Sequence, residues 1–286
     1  MKRITCILIV LLAIPLGLDA QTVRALEPGC EIPSLAEEKS MGEAYVTRFE
    51  RETPLLRNEV IEAYLRHLVS RLAETSPIKN PGQTYTILIV DAYDVQAYAY
   101  PGGFLYITSQ LLRAAESEVE LAGIVAHEIG HVLLHHGTCE MKRRQEMLDA
   151  FLNKFPEEER PYVNPYWVIH VIESLHNVEM QVASRIHEQE ADLFSIRMLL
   201  HARYDADMYL RGFERMLDGE KNERDPEYLR SHPASDRRIE TMKKEARTYA
   251  SLLNIRKGDP RRAPINSEFA TMKKTLENIL EHPSQP

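Results

Sequence analysis

The sequence predicts a mainly helical α+β domain in which a small β-sheet lies beside one central helix. Two observations lead to this fold class. Apolar residues recur at helical spacing over most of the chain, from about residue 35 to about residue 250. A short block rich in β-branched and aromatic residues, 84–108, interrupts this pattern and contains the turn signal Pro101-Gly102-Gly103.

The first two helices are predicted at about 35–51 and 56–73. In the second helix, the apolar side chains fall on one face, which predicts that they contribute to the core. These residues are Val60, Ile61, Tyr64, Leu65, Leu68 and Leu72.

The β-prone block divides into one strand and one hairpin. Thr84 to Val90 has the composition of a strand, and the segments 95–100 and 104–108 flank the Pro-Gly-Gly turn. We therefore expect a small sheet that ends where the helical pattern resumes.

The central helix is predicted to begin after Ser117, because Glu120 follows at the spacing of a capping box. It should end near residues 136–137, where Gly137 is a candidate helix stop. Further helices are predicted at about 139–154 and 166–201, followed by shorter ones to about 250. Residues 251–286 read as a tail with one helix near 267–280.

Composition excludes some classes of function. The chain has 286 residues, a formal net charge of −8, 44% hydrophobic and 27% charged residues. A chain with this balance can bury a core and does not resemble a disordered protein. Its acidity argues against nucleic-acid binding, which requires a basic surface, so no nucleic-acid partner is expected.

The first twenty residues form a segment of a different kind. Lys2 and Arg3 precede an apolar run, 4–18, that is short for a membrane span and interrupted by Pro15 and Gly17. We interpret residues 1–20 as a signal peptide and 21–34 as an exposed lead-in. The alternative is a retained N-terminal membrane anchor.

No uncharged stretch of about 18 apolar residues follows residue 20. The expectation is therefore a soluble, exported protein of the periplasm, for which peripheral membrane association remains open. Cys30 and Cys139 stay in the mature chain, where export permits a disulfide. Two unpaired buried thiols fit the sequence equally well.

The strongest chemical signal is a pair of histidines, His127 and His131, four residues apart on the central helix. Side chains at this spacing share one helix face, so both imidazoles can reach one Zn²⁺ at about 2.0–2.1 Å. Glu128 is displaced around the helix and can take a proton from a water on the metal. The sequence thus predicts a catalytic zinc site with Glu128 as general base.

A catalytic zinc ion has three protein ligands and one open position, so a third ligand is needed. Glu188 and Asp192 are four residues apart on a later predicted helix and share a face. We predict that Glu188 completes the metal site and that Asp192 accepts the second ring N–H of His127. Glu190 is predicted to point away from the site. His187 is predicted either to lie next to the metal ligands without binding the metal or to lie on the surface.

Four ordered segments resemble the M48 family of zinc metallopeptidases. The segments are 127–131, 188–192, a hairpin at 97–108 and residues 231–239, and the resemblance spans about 40–245. Gln96 departs from the family pattern, which usually has asparagine there. The resemblance implies a zincin-type domain, assigned to residues 35–250, with Glu188 as the third zinc ligand.

The resemblance also implies how substrate binds. It places the second strand of the hairpin at the edge of the cleft, where an unfolded polypeptide would add as a further strand. The residues assigned to substrate binding are Gly103, Phe104, Leu105 and Tyr106.

His232 and Arg238 are implied to lie near the zinc ion. Each has the chemistry to stabilise an oxyanion. In some relatives the matching histidine instead occupies the open zinc position and restrains activity, and the sequence does not choose between these roles. His135 and His136 are predicted only to complement the dipole at the end of the central helix.

The predicted function is therefore zinc-dependent endopeptidase activity, with one Zn²⁺ per chain and polypeptide substrates. The resemblance suggests misfolded envelope proteins as substrates. Two alternatives remain open: a latent protease, restrained by His232 or by the proline-interrupted insert 155–177, and a chaperone-like protein that binds zinc and rarely cleaves. Docking partners are not predicted.

Overall fold

The structure is a computed structural model that describes residues 30–157, 164, 177–221, 232, 235–255 and 267–282. The predicted signal peptide, most of the lead-in and most of the insert 155–177 lie outside these residues. Within them, the chain is mainly helical with one small sheet, which confirms the predicted α+β class.

Two helices precede most of the sheet. Helix α1 spans Leu35–Glu52, and the Ser34 side chain and the Glu37 carboxylate cap its start reciprocally. Helix α2 spans Glu59–Thr75 and begins at Asn58, which accepts two backbone N–H bonds. The predicted core face of α2 is confirmed except at Val60, which is 47% exposed because it lies in the first turn.

The sheet has four strands in the order β1-β2-β4-β3. The strands are β1 (Leu55–Leu56), β2 (Thr86–Val90), β3 (Ala97–Tyr100) and β4 (Phe104–Thr108). The predicted hairpin is confirmed, since β3 and β4 pair antiparallel. However, β4 also pairs parallel with β2, so it is an inner strand.

Glycine chemistry explains the hairpin turn. Gly102 and Gly103 have φ angles of +80° and +92°, a region that L side chains rarely adopt. A Cβ on Gly103 would also lie 2.1 Å from the Thr84 carbonyl oxygen. The turn therefore requires glycine at this position for both conformation and space.

The two faces of the sheet are covered by different helices. Ile87, Ile89, Leu105 and Ile107 point into the main core, which they share with α2 and the central helix. Alternate residues on the other face pack under α1 in a smaller cluster around Val46, Val90 and Tyr106. This alternation is the expected result of the two-residue period of a strand.

Helix α3 (Ser109–Ala114) leads into the central helix α4, which spans Glu118–Leu133. Ser117 caps α4 as predicted, accepting from the Glu120 N–H. The predicted end at residues 136–137 is wrong: α4 stops at Leu133, His135 takes a left-handed conformation with φ 59°, and Gly137 lies inside α5 (His136–Leu152). A contact between His135 Nδ1 and the buried Glu38 carboxylate, at 2.8 Å, holds this turn.

The remaining described helices are α6 (Asn177–His201), α7 (Ala206–Lys221), α8 (Asp236–Leu252) and α9 (Ser267–Glu281). Helix α6 packs most extensively against α4, and α8 packs on α6. Helix α9, the one helix predicted in the tail, packs on α2 and α3.

A disulfide joins Cys30 to Cys139, with their Cα atoms 5.3 Å apart. Of the two readings that the sequence allowed, the bridge is the one found. It fastens the segment before α1 to the first turn of α5. Across the described residues, no helix has both the length and the apolar character needed to span a membrane.

Candidate metal centre

The site is built where α4 and α6 approach closely. An added Cβ at Gly130 would lie 3.1 Å from the Phe194 ring and 3.4 Å from the Ala191 Cα atom. Ala191 lies in this contact, as its small size predicted, and both Ala191 and Ser195 are completely buried. The close approach brings the histidines of α4 within reach of the carboxylates of α6.

Four side chains converge at this contact: His127 and His131 from α4, Glu188 from α6, and His232 from the segment before α8. Each offers one nitrogen or carboxylate oxygen, and these four atoms all lie within 4.8 Å of one another. The His127 and His131 Nε2 atoms lie 3.4 Å from different oxygens of Glu188. The His232 Nδ1 atom lies 3.1 Å from both.

The donor set fits a divalent metal ion. The Nε2 atoms of His127 and His131 are only 3.0 Å apart. Two imidazole lone pairs at this distance repel each other unless a proton or a cation lies between them. Imidazole nitrogens with one carboxylate are the ligands that zinc prefers in proteins.

Glu128 lies beside this group without joining it. Its side chain is 4% exposed, and one carboxylate oxygen, Oε1, has no hydrogen-bond partner. The same oxygen is 3.5 Å from His232 Nε2. A buried acceptor with a free oxygen next to a metal site suits a group that must receive a proton from water.

Burial and charge shift the pKa values of the site in opposite directions. Burial lowers the pKa of His131 to about 3. Burial also opposes charge on His127, but the adjacent carboxylates of Asp192 and Glu188 outweigh it and raise its pKa to about 10. Burial raises the pKa of Glu128. It acts in the same sense on Glu188, yet the surrounding histidines hold the pKa of that carboxyl well below its usual range.

His127 is supported from behind by Asp192. The His127 Nδ1 atom lies 3.3 Å from Asp192 Oδ1. Arg238 binds the same carboxylate through two parallel contacts of 2.7 Å and donates to the His232 carbonyl oxygen at 3.1 Å. Burial by itself raises the pKa of Asp192, but the Arg238 hydrogen bonds and charge lower it overall.

His131 has a support of its own. Its Nδ1 atom lies 3.0 Å from Nδ1 of the buried His136, whose Nε2 atom lies 2.9 Å from Glu190 Oε2. The His187 ring stacks on His136 with centroids 4.3 Å apart. The prediction that Glu190 points away is therefore wrong, because His136 extends across to meet it. The prediction that His136 complements the dipole at the end of α4 is also wrong, because α4 ends at Leu133 and His136 is the first residue of α5.

Comparison with known proteins gives the family. The family model "Peptidase family M48" matches residues 59–246, about two thirds of the chain. The chain belongs to peptidase family M48. The resemblance drawn from the four sequence motifs is confirmed, and with it membership of a metal-dependent peptidase family whose substrates are polypeptides.

Several M48 relatives are similar to this chain. A Vibrio cholerae protein, provisionally named a beta-barrel assembly-enhancing protease, is 27% identical over 232 residues, which cover 77% of this chain and 46% of the relative. The beta-barrel assembly-enhancing protease of Escherichia coli is 24% identical over 220 residues, which cover 74% of this chain and 44% of the relative. The mitochondrial metalloendopeptidase OMA1 of Saccharomyces cerevisiae is 31% identical over 161 residues, which cover 52% of this chain and 42% of the relative.

The matches cover less than half the length of each of these three relatives. The family assignment rests on the family model, and these partial matches do not give the substrate or the partners of this member.

The hairpin of β3 and β4 is present, but the prediction that its second strand lies at the edge of the sheet is wrong. Gly103, Phe104, Leu105 and Tyr106 were assigned to the cleft edge, yet β4 pairs with a strand on each side. Tyr106 is 1% exposed, and its hydroxyl donates to Glu50 at 2.6 Å. Of the two hairpin strands, the one at an edge of the sheet is β3, which packs beside α4.

The backbone of β3 offers one accessible residue to the side away from β4. Thr108 N–H donates to the Gln96 carbonyl oxygen and Gln96 N–H to the Thr108 hydroxyl, both at 3.0 Å. Bonded pairs alternate along an antiparallel ladder, so Tyr98 also pairs with β4. Ala97 and Ala99 then direct their N–H and C=O groups away from β4, where no described strand pairs with them. Ala97 is 3% exposed, so the accessible main-chain groups are those of the half-buried Ala99.

Proposed function

We propose that this M48 member is a zinc-dependent endopeptidase. The convergence of His127, His131 and Glu188 beside the buried Glu128 carries the proposal. In the proposed site these three residues hold the ion. Zinc, when bound, supplies Lewis acidity to a water molecule and to the scissile carbonyl group.

The chain's own residues then move the protons. Glu128 takes a proton from the attacking water at its unpaired oxygen and later transfers it to the leaving amine nitrogen. Its raised pKa favours the protonated form that this second transfer needs. Asp192 orients His127 through its Nδ1 atom, and Arg238 holds Asp192.

Arg238 acts as a positioning residue in this scheme. Its side chain is 5% exposed and already binds Asp192, the His232 carbonyl oxygen and Glu188. A group engaged in this way has little freedom to turn toward a developing oxyanion, which was the role first expected of it.

The proposed substrates are unfolded polypeptides that add to the edge of β3. Main-chain hydrogen bonds to the half-buried Ala99 would hold an extended peptide with little dependence on its side chains. Such binding suits a protease that acts on misfolded proteins. The disulfide between Cys30 and Cys139 supports an oxidising compartment, and we propose the bacterial periplasm.

A restrained form of the enzyme is the second candidate function. His232 Nδ1 lies 3.1 Å from both Glu188 oxygens and 3.3 Å from His127 Nε2. A fourth side chain at this position competes with water for the metal. This geometry favours a latent protease that is activated when His232 withdraws.

Casein hydrolysis and zinc content, measured on the same purified samples, test the proposal. Wild type, Glu128→Gln and Glu188→Ala are compared. We expect about one zinc in wild type. Glu128→Gln should keep the metal and lose cleavage, since only the proton acceptor is removed. Glu188→Ala should lose the metal.

Wild type without zinc would overturn the proposed site. Glu128→Gln that cleaves like wild type would exclude Glu128 as the general base. Wild type that binds zinc but cleaves only after His232 is replaced would favour the latent form.

A further inference from the structure

His136 and Glu190 form a chain of polar contacts behind His131. The His136 side chain is 6% exposed and the Glu190 side chain 16% exposed. Both contacts, His131 to His136 and His136 to Glu190, are within ordinary hydrogen-bond distance.

The positions of the protons follow from the role of His131. If its Nε2 lone pair faces the metal, its proton must lie on Nδ1. His131 Nδ1–H then donates to His136 Nδ1, which must accept. The remaining proton of His136 therefore lies on Nε2 and donates to the Glu190 carboxylate. Every donor in the chain thus meets an acceptor.

We propose that His136 and Glu190 are positioning residues for His131. Through His136, the Glu190 carboxylate fixes the tautomer and the ring orientation of His131 and increases its affinity for the metal. This inference rests on the proposed zinc site and adds a specific support to one of its ligands.

The local backbone places His136 where it can connect His131 to Glu190, and we call the contacts His131–His136–Glu190 the relay. The left-handed residue His135 separates α4 from α5, so His136 starts a new helix and turns back under His131. On a continued α4, residue 136 would lie about 140° around the axis from residue 131. His187 stacks on the His136 ring with an angle of 15° between the planes, which holds the ring in place.

The relay has a counterpart on the other histidine. Asp192 Oδ1 lies 3.3 Å from His127 Nδ1, on the side of that ring where His136 contacts the ring of His131, although the Asp192 contact is an ion pair and the His136 contact a hydrogen bond. Glu190 and Asp192 are two residues apart on α6, which also carries Glu188. One helix therefore provides a metal-facing carboxylate and the carboxylates that terminate both supports.

Zinc affinity, measured by competition with a chromophoric chelator, tests the proposal. Glu190→Gln removes the charge but keeps an acceptor, whereas Glu190→Ala removes both. We expect Glu190→Ala to weaken zinc binding about 10–100-fold and Glu190→Gln to weaken it less. Glu140→Gln is the matched control, because Glu140 lies on the same helix as His136 but pairs with Arg144.

A double-mutant cycle shows whether the effect passes through His136. His136→Phe keeps a ring to stack on His187 but has no nitrogen, and it should also weaken zinc binding. In that background Glu190→Ala should cause no further loss, because its carboxylate no longer reaches His131. Thermal unfolding of the zinc-free variants shows whether each one folds.

The absorption spectrum of the cobalt-substituted protein gives a readout independent of affinity. We expect the visible bands of Glu190→Ala to shift, because the His131 ring is no longer fixed, while those of Glu140→Gln match wild type. Folded Glu190 variants with wild-type affinity and spectrum would overturn the relay, as would additive losses in the cycle. Failure of wild type itself to bind zinc would instead overturn the proposed metal site.

Discussion

Arg238 grips the carboxylate of Asp192 with two parallel hydrogen bonds, Nε to Oδ2 and Nη2 to Oδ1, each 2.7 Å long. Both side chains are nearly inaccessible, with Arg238 at 5% and Asp192 at 2% exposure. A buried pair of this kind fixes two helices, α6 and α8, relative to each other. It also determines where the Asp192 oxygens meet His127.

Arg238→Gln should destabilise the zinc-free protein by about 3–5 kcal/mol, because a buried carboxylate loses its partner. Urea unfolding measures this change in the free energy of unfolding. Arg237→Gln, at an exposed neighbouring position, is the control and should stay near wild type. Equal stabilities for the two variants would show that the pair is not structural.

The zinc-free protein should lose stability as pH rises above neutrality. The pKa of His127 is raised from 6.5 to about 10 by Asp192 and Glu188, which together outweigh burial. A raised folded-state pKa contributes stability that is complete below pH 6.5 and disappears as pH rises through 10. Urea unfolding across this range should show the loss in the metal-free wild type and not in metal-free His127→Gln. A free energy of unfolding that does not change with pH in the metal-free wild type would contradict this prediction.

His232→Ala should increase casein cleavage several-fold and weaken zinc binding. The variant removes the fourth side chain of the group, whose Nδ1 atom lies 3.1 Å from the Glu188 oxygens, so water gains access to the metal. Initial rates at matched zinc occupancy are the measurement. A decrease in rate with zinc retained would instead support the oxyanion-stabilising role that the sequence also allowed.

Ala99→Pro should raise the KM for unfolded substrates about tenfold, which corresponds to one lost hydrogen bond. Its N–H faces the free edge of β3, so proline there removes a contact with the peptide and spares the β3–β4 ladder. The comparison variant is Tyr98→Pro, which breaks the ladder and should lower the thermal unfolding temperature. An Ala99→Pro enzyme with unchanged KM would place the substrate elsewhere.

Reduction of the disulfide should cost about 2–5 kcal/mol of unfolding free energy, since the bridge closes a long loop. Its cysteines are 109 residues apart in sequence. Unfolding with and without dithiothreitol measures the loss in wild type. The double variant Cys30→Ser, Cys139→Ser should have the same reduced free energy of unfolding with and without dithiothreitol. This control separates loss of the disulfide from other effects of the reductant.

Local periodicity explains why so much of the site could be predicted. The pairs His127–His131 and Glu188–Asp192 each lie four residues apart, and helix geometry alone places each pair on one face. Small residues such as Ala191 indicated that the two helices could meet. The structure brings both faces together at the expected place.

Non-local features could not be read in the same way. The hairpin was predicted, but the parallel pairing of β4 with β2 depends on distant residues, so the wrong strand was taken as the edge. His136 was overlooked because its position depends on the left-handed His135, where a glycine at 137 was expected to end the helix. The error at Glu190 has the same origin, since its partner is His136.

The contact between Glu38 and His135 ties two distant parts of the chain together. His135 holds a backbone conformation that glycine or asparagine adopts more readily, so position 135 on its own would accept either residue. Glu38 is 1% exposed, and its side chain contacts His135, between α4 and α5, and Thr138, in the first turn of α5. In a library selected for folding, positions 38 and 135 should therefore change together, with a neutral residue at 38 accompanying the loss of His135.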